Sequence, residues 1–143
     1  MQELILPNLA ATEALAARIA DLAQPGDAIL LTGPLGAGKS AFARAFLRAA
    51  SGNPQLDVPS PSYTLVQSYS TRLGPVHHFD LWRLEGEDSV QELGWDELAD
   101  DIVLVEWPDR LGSLTPEGAL RISLRPDGEG RRVAGLIGWE GRL

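Results

Sequence analysis

Apolar residues along this chain fall into short runs separated by polar or glycine-containing segments, a pattern typical of alternating strands and helices. Residues 28–32 and 102–106 are apolar at nearly every position, which predicts strands buried on both faces. Residues 3–6 predict an edge strand. Alanine and leucine at helical spacing indicate a helix over residues 9–23, N-capped by Asn8.

Four further strands are predicted from alternating or short apolar runs, which pair into two hairpins. The strands are residues 63–69 and 76–80, joined by 71–75, and residues 120–124 and 132–139, joined by 126–130. Residues 87–99 predict helical stretches that are broken near Gly94.

Another helix is predicted after Ser40, reaching about residue 50. Its predicted buried stripe consists of Phe42, Ala45, Phe46 and Ala49. Arg44 and Arg48 lie on a different face, which is either a solvated surface or a surface that docks a partner. Residues 51–61 contain three prolines and predict a loop.

The segment from Gly33 to Ser40 reads Gly-Pro-Leu-Gly-Ala-Gly-Lys-Ser and fits the phosphate-binding pattern G-x-x-x-x-G-K-[ST]. Gly33, Gly36 and Gly38 allow backbone conformations that turn successive N–H groups into one hollow at the helix N-terminus. There we expect Lys39 to bind the β- and γ-phosphates and Ser40 to ligate Mg²⁺. The segment therefore predicts a site for a nucleoside triphosphate.

Buried strands, helices and hairpins arranged around this P-loop predict an α/β protein. We expect a three-layer α/β/α P-loop NTPase-like domain with a mixed central sheet, in which a helix crosses over between parallel strands. The length of 143 residues predicts one domain over residues 1–143.

Asp80 and Glu106 each close a predicted strand, and α/β sheets bind ligands at the carboxyl ends of their strands. Nucleotide hydrolysis uses such carboxylates either to hold Mg²⁺ or to orient the attacking water. The division of these roles between the two residues stays open. The competing interpretations are a turn or helix cap for Asp80 and an ion pair with an arginine such as Arg110 for Glu106.

The segment Ser60-Pro-Ser-Tyr-Thr64 lies between the P-loop helix and the strand that ends at Asp80, where a loop sensing the γ-phosphate is expected. The hydroxyls of Ser60, Ser62 and Thr64 are candidates for contacts to phosphate or Mg²⁺. Ordinary turn chemistry is the alternative explanation for these residues.

The adjacent His77 and His78 point to opposite faces of a strand, so they do not form one metal site, and we predict structural roles for both. Trp107 follows Glu106 directly. It either borders the nucleotide or belongs to the core or to an interface.

The composition narrows the class of protein. A net charge of −8 disfavours autonomous binding to nucleic acid and favours a partner with a basic surface. The chain contains no cysteine, and it shows neither a secretory signal nor a membrane-spanning run, so a cytoplasmic location is expected. Lys39 is the only lysine, which excludes the lysine-containing element that recognises guanine and favours ATP.

These motifs together resemble the TsaE (YjeE) family, the small P-loop ATPases of bacterial tRNA threonylcarbamoyladenosine biosynthesis. The resemblance rests on residues 33–40, on Ser-Pro-Ser-Tyr-Thr-Leu-Val at 60–66, and on His-Phe-Asp-Leu-Trp-Arg at 78–83 with Leu-Val-Glu-Trp-Pro at 104–108 downstream. It covers nearly the whole chain and is weakest after Gly112.

The resemblance implies an ATPase that uses Mg²⁺, with residues 8–12 bordering the adenine and 60–64 forming a switch-like loop. It implies binding to a complex of TsaB and TsaD, through which ATP turnover supports threonylcarbamoyl transfer to adenosine 37 of tRNAs reading ANN codons. The tRNA is then met only through these partners. The predicted nucleotide contacts are Thr12, Gly33, Gly36, Ala37, Gly38, Lys39, Ser40, Ala41 and Thr64; the predicted catalytic residues are Lys39, Asp80 and Glu106; the predicted Mg²⁺ ligands are Ser40, Asp80 and Glu106.

Three functional hypotheses stay open at this point. The first is an ATPase that is slow alone, since Arg83 is the nearest arginine by motif that could assist in cis, and that a partner completes. The second is a small-molecule kinase, for which the pair Arg131-Arg132 is the only dense arginine candidate for a lid. The third is a nonenzymatic switch in which bound ATP orders residues 60–64.

Overall fold

Seven strands form one sheet in the computed structural model, which describes residues 2–143. The strands are β1 (Gln2–Leu6), β2 (Ala28–Thr32), β3 (Val66–Thr71), β4 (Gly74–Asp80), β5 (Ile102–Glu106), β6 (Leu120–Pro126) and β7 (Arg132–Ile137). The helices are α1 (Leu9–Leu22), α2 (Lys39–Ser51), α3 (Glu87–Gln91) and α4 (Trp95–Leu98), with a 3-10 segment at Pro108–Leu114. Within residues 2–143, no helix is long and apolar enough to cross a membrane.

The strand order is β1-β7-β6-β2-β5-β4-β3. The four central strands β6, β2, β5 and β4 run parallel, whereas β7 pairs antiparallel with β1 and β6, and β3 pairs antiparallel with β4. The predicted mixed sheet is therefore confirmed. Since β2, β5 and β4 are parallel neighbours, their carboxyl ends meet at one edge of the sheet.

Two apolar clusters cover opposite faces of the sheet. Ile29 and Leu31 of β2 pack with α1 and α2, whereas Leu30 between them packs with α3, α4 and the 3-10 segment. This division follows from the alternation of side chains along a strand. The predicted three-layer α/β/α architecture is confirmed.

The first helix begins as the sequence predicts. Asn8 has an extended backbone conformation, and its Oδ1 accepts a hydrogen bond of 3.0 Å from the Ala11 N–H. This bond satisfies one of the N–H groups that the first helical turn leaves without a partner in the helix, so Asn8 is an N-cap.

The buried face of α2 differs from the prediction. Its buried apolar residues are Phe42, Ala43, Phe46, Leu47 and Ala50. Ala45 and Ala49 are only partly buried, because the sheet and α1 contact the helix about one residue away from the predicted stripe. Arg48 is half-buried rather than fully solvated, and its Nε donates to the Leu56 carbonyl at 3.0 Å.

The strand predicted at residues 63–69 begins later, at Val66, and continues to Thr71. Leu65 has a φ of +71°, a left-handed conformation that interrupts the extended backbone before the strand. The hairpin is also tighter than predicted. Only residues 72 and 73 connect β3 to β4, and Gly74 pairs with Thr71.

The C-terminal hairpin is confirmed with shifted ends. The strand β6 extends to Pro126, and β7 stops at Ile137 rather than at residue 139, because Gly138 and Trp139 both have positive φ values. The 3-10 segment after β5 was not predicted. It contains a kink at Gly112 and covers the face of the sheet that α3 and α4 share.

Candidate active site

The P-loop connects β2 to α2 and lies against the neighbouring strand β6. Gly33 has a φ of +143°, and a Cβ atom built on it would lie 2.2 Å from the Leu124 carbonyl oxygen. Only glycine fits this close approach. Gly38 precedes α2 with a φ of +104°, and no side chain among residues 2–143 caps the helix there, which leaves its first N–H groups available to an anion.

Lys39 begins α2 and is only 5% exposed. Its ammonium group donates to the Gly33 carbonyl and lies 3.9 Å from the centroid of the Trp107 ring. Burial lowers the pKa of Lys39 below its ordinary value, while the nearby Glu106 and Asp80 act in the opposite direction. The single lysine of the chain therefore lies inside the P-loop, facing two carboxylates.

Asp80 and Glu106 end the neighbouring parallel strands β4 and β5 and are partners in the strand register. They are 6% and 3% exposed. Together with Lys39, Ser40 and Ser62 they line a cavity of about 280 Å³ beside the P-loop. The structure thus brings the predicted catalytic residues and the predicted Mg²⁺ ligands to one cavity.

Asp80 is held at both carboxylate oxygens. Ser62 Oγ donates to its Oδ2 at 3.0 Å, and the Trp82 N–H donates to its Oδ1 at 3.1 Å. The second bond is the turn cap considered as the alternative role of Asp80. Both descriptions apply, because the same carboxylate caps the turn and lines the cavity.

Glu106 pairs with a histidine rather than with an arginine. His78 Nε2 lies 2.7 Å from Glu106 Oε2, and His78 is 2% exposed. Since an ionised carboxylate only accepts, Nε2 is the donor in this pair. The ion pair with Arg110 was a wrong alternative, because Arg110 pairs with Asp109 and donates from Nε to the Leu84 carbonyl at 2.7 Å.

The loop predicted to sense phosphate touches a site carboxylate. Ser60 Oγ lies 2.8 Å from Ser62 Oγ, and both side chains line the cavity. Because Ser62 donates its only hydroxyl hydrogen to Asp80, Ser60 is the donor to Ser62. Thr64 is not brought to this cavity; its Oγ1 accepts from Gln67 Nε2 at 2.9 Å.

A second cavity of about 420 Å³ lies on the other side of the P-loop helix start. Asn8 and Thr12 line it together with Gly38 and Ala41. Gly38 and Ala41 line the carboxylate cavity as well, so the two cavities flank the same turn of backbone. Residues 8–12, predicted to border the adenine, therefore lie next to the P-loop.

Two aromatic residues border the mouth of the carboxylate cavity. Trp107 lines the cavity and packs on Trp82, with 4.4 Å between ring centroids. This contact favours the interpretation of Trp107 as a residue that borders the site. Arg83 lies over the ring of Tyr63, at 5.2 Å from its centroid, and lines neither cavity.

The histidines were predicted to be structural, and one of them contacts the site. His77 bonds Ser68 through Nδ1 at 2.7 Å and Asp101 through Nε2 at 2.8 Å, which links three segments away from the cavity. His78 contacts Glu106 instead. Its position two residues before Asp80 on one strand is the available sequence signal, because residues two apart share a face.

Arg132 was also missed as a site residue. Its guanidinium donates to carbonyls of the P-loop, although it lies 95 residues from Ala37 along the chain. No local motif marks it, and only the position of β7 in the sheet brings it there.

The donor set suits a hard divalent cation that keeps much of its own hydration. Within residues 2–143, no three His, Asp or Glu side chains cluster closely enough to hold a metal ion by themselves. Asp80, Glu106 and the Ser40 hydroxyl offer only oxygen ligands beside a phosphate-binding loop. Mg²⁺ is commonly held in this manner, by one or two carboxylates, phosphate oxygens and water.

A buried strand that leads into a glycine-rich turn and a helix N-terminus, beside two strand-end carboxylates, defines a P-loop NTPase. The family described as "Threonylcarbamoyl adenosine biosynthesis protein TsaE" matches residues 6–134. The chain belongs to the TsaE family, which confirms the family prediction made from its motifs.

Relatives named tRNA threonylcarbamoyladenosine biosynthesis protein TsaE resemble most of the chain. The Rickettsia felis protein is 33% identical over 135 residues, which are 94% of this chain and 78% of the relative. The Bacillus subtilis protein is 34% identical over 123 residues, which are 85% of this chain and 75% of the relative. The crystal structure of Bacillus subtilis YdiB matches with a TM-score of 0.78 and 26% identity, covering 99% of this chain and 88% of that one.

Proposed function

We propose that this protein binds and slowly hydrolyses ATP and that it acts with a TsaB–TsaD-type complex. Its turnover would support threonylcarbamoylation of adenosine 37 in tRNAs that read ANN codons. The observation that carries the proposal is the convergence of Lys39, Asp80 and Glu106 on one cavity beside the P-loop of a TsaE-family chain.

Binding is argued from the two cavities that flank the start of α2. The phosphates fit the P-loop, where the helix N-terminus and Lys39 supply positive potential. The adenine fits the neighbouring cavity beside Asn8 and Thr12. Because Gly38 and Ala41 line both cavities, one nucleotide reaches from one to the other.

Hydrolysis is argued from the position of Glu106. We propose that it accepts a proton from a water whose oxygen bonds to the γ-phosphorus, while the bond from that phosphorus to the bridging oxygen of ADP breaks. His78 occupies Oε2, so Oε1 is the oxygen that faces the water. Ser40 and Asp80 would hold Mg²⁺, which neutralises phosphate charge when it is bound.

A slow rate in the isolated protein is argued from the arginines. Among residues 2–143, no arginine lines the carboxylate cavity, and Arg83 faces Tyr63. An arginine placed on the transferring phosphoryl group accelerates comparable enzymes about 10³–10⁵-fold. A partner that supplies such a group, or that repositions Ser62 on Asp80, would raise the rate.

The partner and location follow from charge and family. A net charge of −8 favours a complementary basic protein surface and leaves contact with tRNA to the partners. Action on tRNA modification would take place in the cytoplasm. The kinase hypothesis loses its lid, because Arg132 bonds the P-loop and Arg131 lies 3.4 Å from Asp127.

The proposal is tested by ATP turnover of the protein alone and with the TsaB–TsaD-type complex. We expect Lys39→Ala to abolish turnover, and Glu106→Gln to lower it by about 10²–10⁴-fold while ATP still binds. Glu97→Gln, an exposed carboxamide substitution on α4, is the matched control and should leave turnover unchanged.

Two results would contradict parts of the proposal. Turnover that is indifferent to the partner complex would remove the gated-ATPase role. Full tRNA modification by Glu106→Gln protein that binds ATP without hydrolysing it would instead support the nonenzymatic switch.

A further inference from the structure

Arg132 contacts the outer side of the P-loop from the far strand β7. Its Nε donates to the Ala37 carbonyl at 3.0 Å, and its Nη2 donates to the Gly36 carbonyl at 3.2 Å. Two donors of one planar guanidinium therefore engage two successive carbonyls. A lysine has one ammonium point charge and cannot reproduce this paired geometry.

The main chain of Arg132 lies within the sheet. Arg132 pairs with Leu6 of β1 and with Pro126 of β6, so the side chain projects from a strand with neighbours on both sides. The P-loop at this point has little support of its own. A Cβ atom at Gly36 would meet no atom within 4 Å, and at Gly38 the nearest would be Arg132 Nε at 3.5 Å.

We propose that Arg132 is a positioning residue that fixes the P-loop in its phosphate-binding conformation. The Ala37 carbonyl and the Gly38 N–H belong to one planar trans peptide, so they point in opposite directions. A donor on that carbonyl from outside directs the Gly38 N–H toward the cavity that Gly38 and Lys39 line. Donation to a carbonyl also polarises the peptide and strengthens its N–H as a donor.

The second carbonyl contact stabilises a turn within the same loop. The Ala37 N–H already donates to the Pro34 carbonyl at 3.1 Å, which closes a turn around Gly36. Arg132 holds the Gly36 carbonyl on the outer side of this turn. Both peptides on either side of Ala37 are thus oriented by one side chain.

The first test needs no nucleotide and compares amide hydrogen exchange of residues 33–40 in the wild-type protein and in Arg132→Ala. We expect exchange in this segment to accelerate about tenfold, while β7 amides stay protected, because only the P-loop loses its contact. Arg131→Ala is the matched control, since Arg131 is the neighbouring arginine and pairs with Asp127 instead. Equal exchange rates in the two variants would overturn the inference.

A second test rests on the proposed nucleotide binding and uses calorimetric titration with ADP and with adenosine. We expect Arg132→Ala and Arg132→Lys to weaken ADP binding about tenfold and adenosine binding less than about twofold. An equal loss for adenosine would overturn the inference, because it would place the guanidinium on the base or ribose. Wild-type protein that binds no ADP would contradict the proposed function, and the exchange comparison would still decide the role of Arg132.

Discussion

At the residue scale, the buried pair of His78 and Glu106 joins two neighbouring strands at the cavity. Both side chains are almost fully buried, and His78 Nδ1 is among the buried polar atoms without a partner in residues 2–143. The pair therefore has one hydrogen bond on which the orientation of Glu106 depends. A base whose second oxygen is held has fewer conformations in which it misses the attacking water.

We expect His78→Ala to lower the kcat of ATP hydrolysis about tenfold with little change in KM, because Glu106 loses its orientation and not its charge. The unfolding free energy should fall by about 1–3 kcal/mol, since a buried carboxylate is left without a partner. Steady-state kinetics and urea denaturation measure the two effects. His78→Gln keeps a donor and should recover part of kcat.

His77→Ala is the matched control, since His77 lies on the same strand and bonds Ser68 and Asp101 rather than the cavity. It should lose stability without a loss of kcat. Equal losses of kcat in the two histidine variants would contradict a positioning role for His78.

At the element scale, the two short helices and the 3-10 segment are connected by one carboxylate. Glu87 at the start of α3 accepts from both the N–H and the hydroxyl of Ser113, each at 2.6 Å. These bonds lower the pKa of Glu87 below its ordinary value of 4.5. The contact holds the 3-10 segment, which follows Trp107, against α3.

We expect the stability difference between wild-type protein and Glu87→Gln to be largest at neutral pH and to disappear in acid. A carboxylate with a lowered pKa stabilises the fold above its ordinary pKa, and this contribution is lost as the pH falls from about 4.5 through the lowered value. Thermal melting at a series of pH values measures the difference. The exposed neighbour Glu85, changed to Gln, should show no such loss.

The elements that the sequence predicted are those whose signal is local. The P-loop, the N-cap at Asn8 and the strand ends at Asp80 and Glu106 follow from residue types at fixed short spacings. The late start of β3 does not, because a leucine at a left-handed φ carries no warning in the sequence. The phase of the α2 stripe was set by the position of α1 and the sheet, which no local pattern contains.

At the scale of the whole molecule, the site is assembled from segments far apart in the chain. Glu106 lies 28 residues from His78, and Arg132 lies 95 residues from Ala37. Such pairs depend on strand order and register, so the sequence identified the separate carboxylates and the lysine but not the residues that orient them. Any ligand that bridges these segments should stabilise the fold as a whole.

We expect Mg²⁺ and ATP together, at about 100 times the dissociation constant, to add about 2.7 kcal/mol to the unfolding free energy and to raise the melting temperature by about 5–10 °C. Thermal melting with and without ligand measures the shift. Lys39→Ala should show little of it. A shift of the same size in that variant would place the nucleotide elsewhere on the protein.

The burial of Lys39 has a practical meaning for covalent chemistry. Every other basic side chain that is permanently charged is an arginine, so the phosphate site holds the sole side-chain amine of the protein. An acylating reagent selective for primary amines thus acts on side chains at the P-loop and nowhere else. The environment that lowers the pKa of Lys39 also increases the share of its reactive free base, which makes this protein its own address label for a covalent probe.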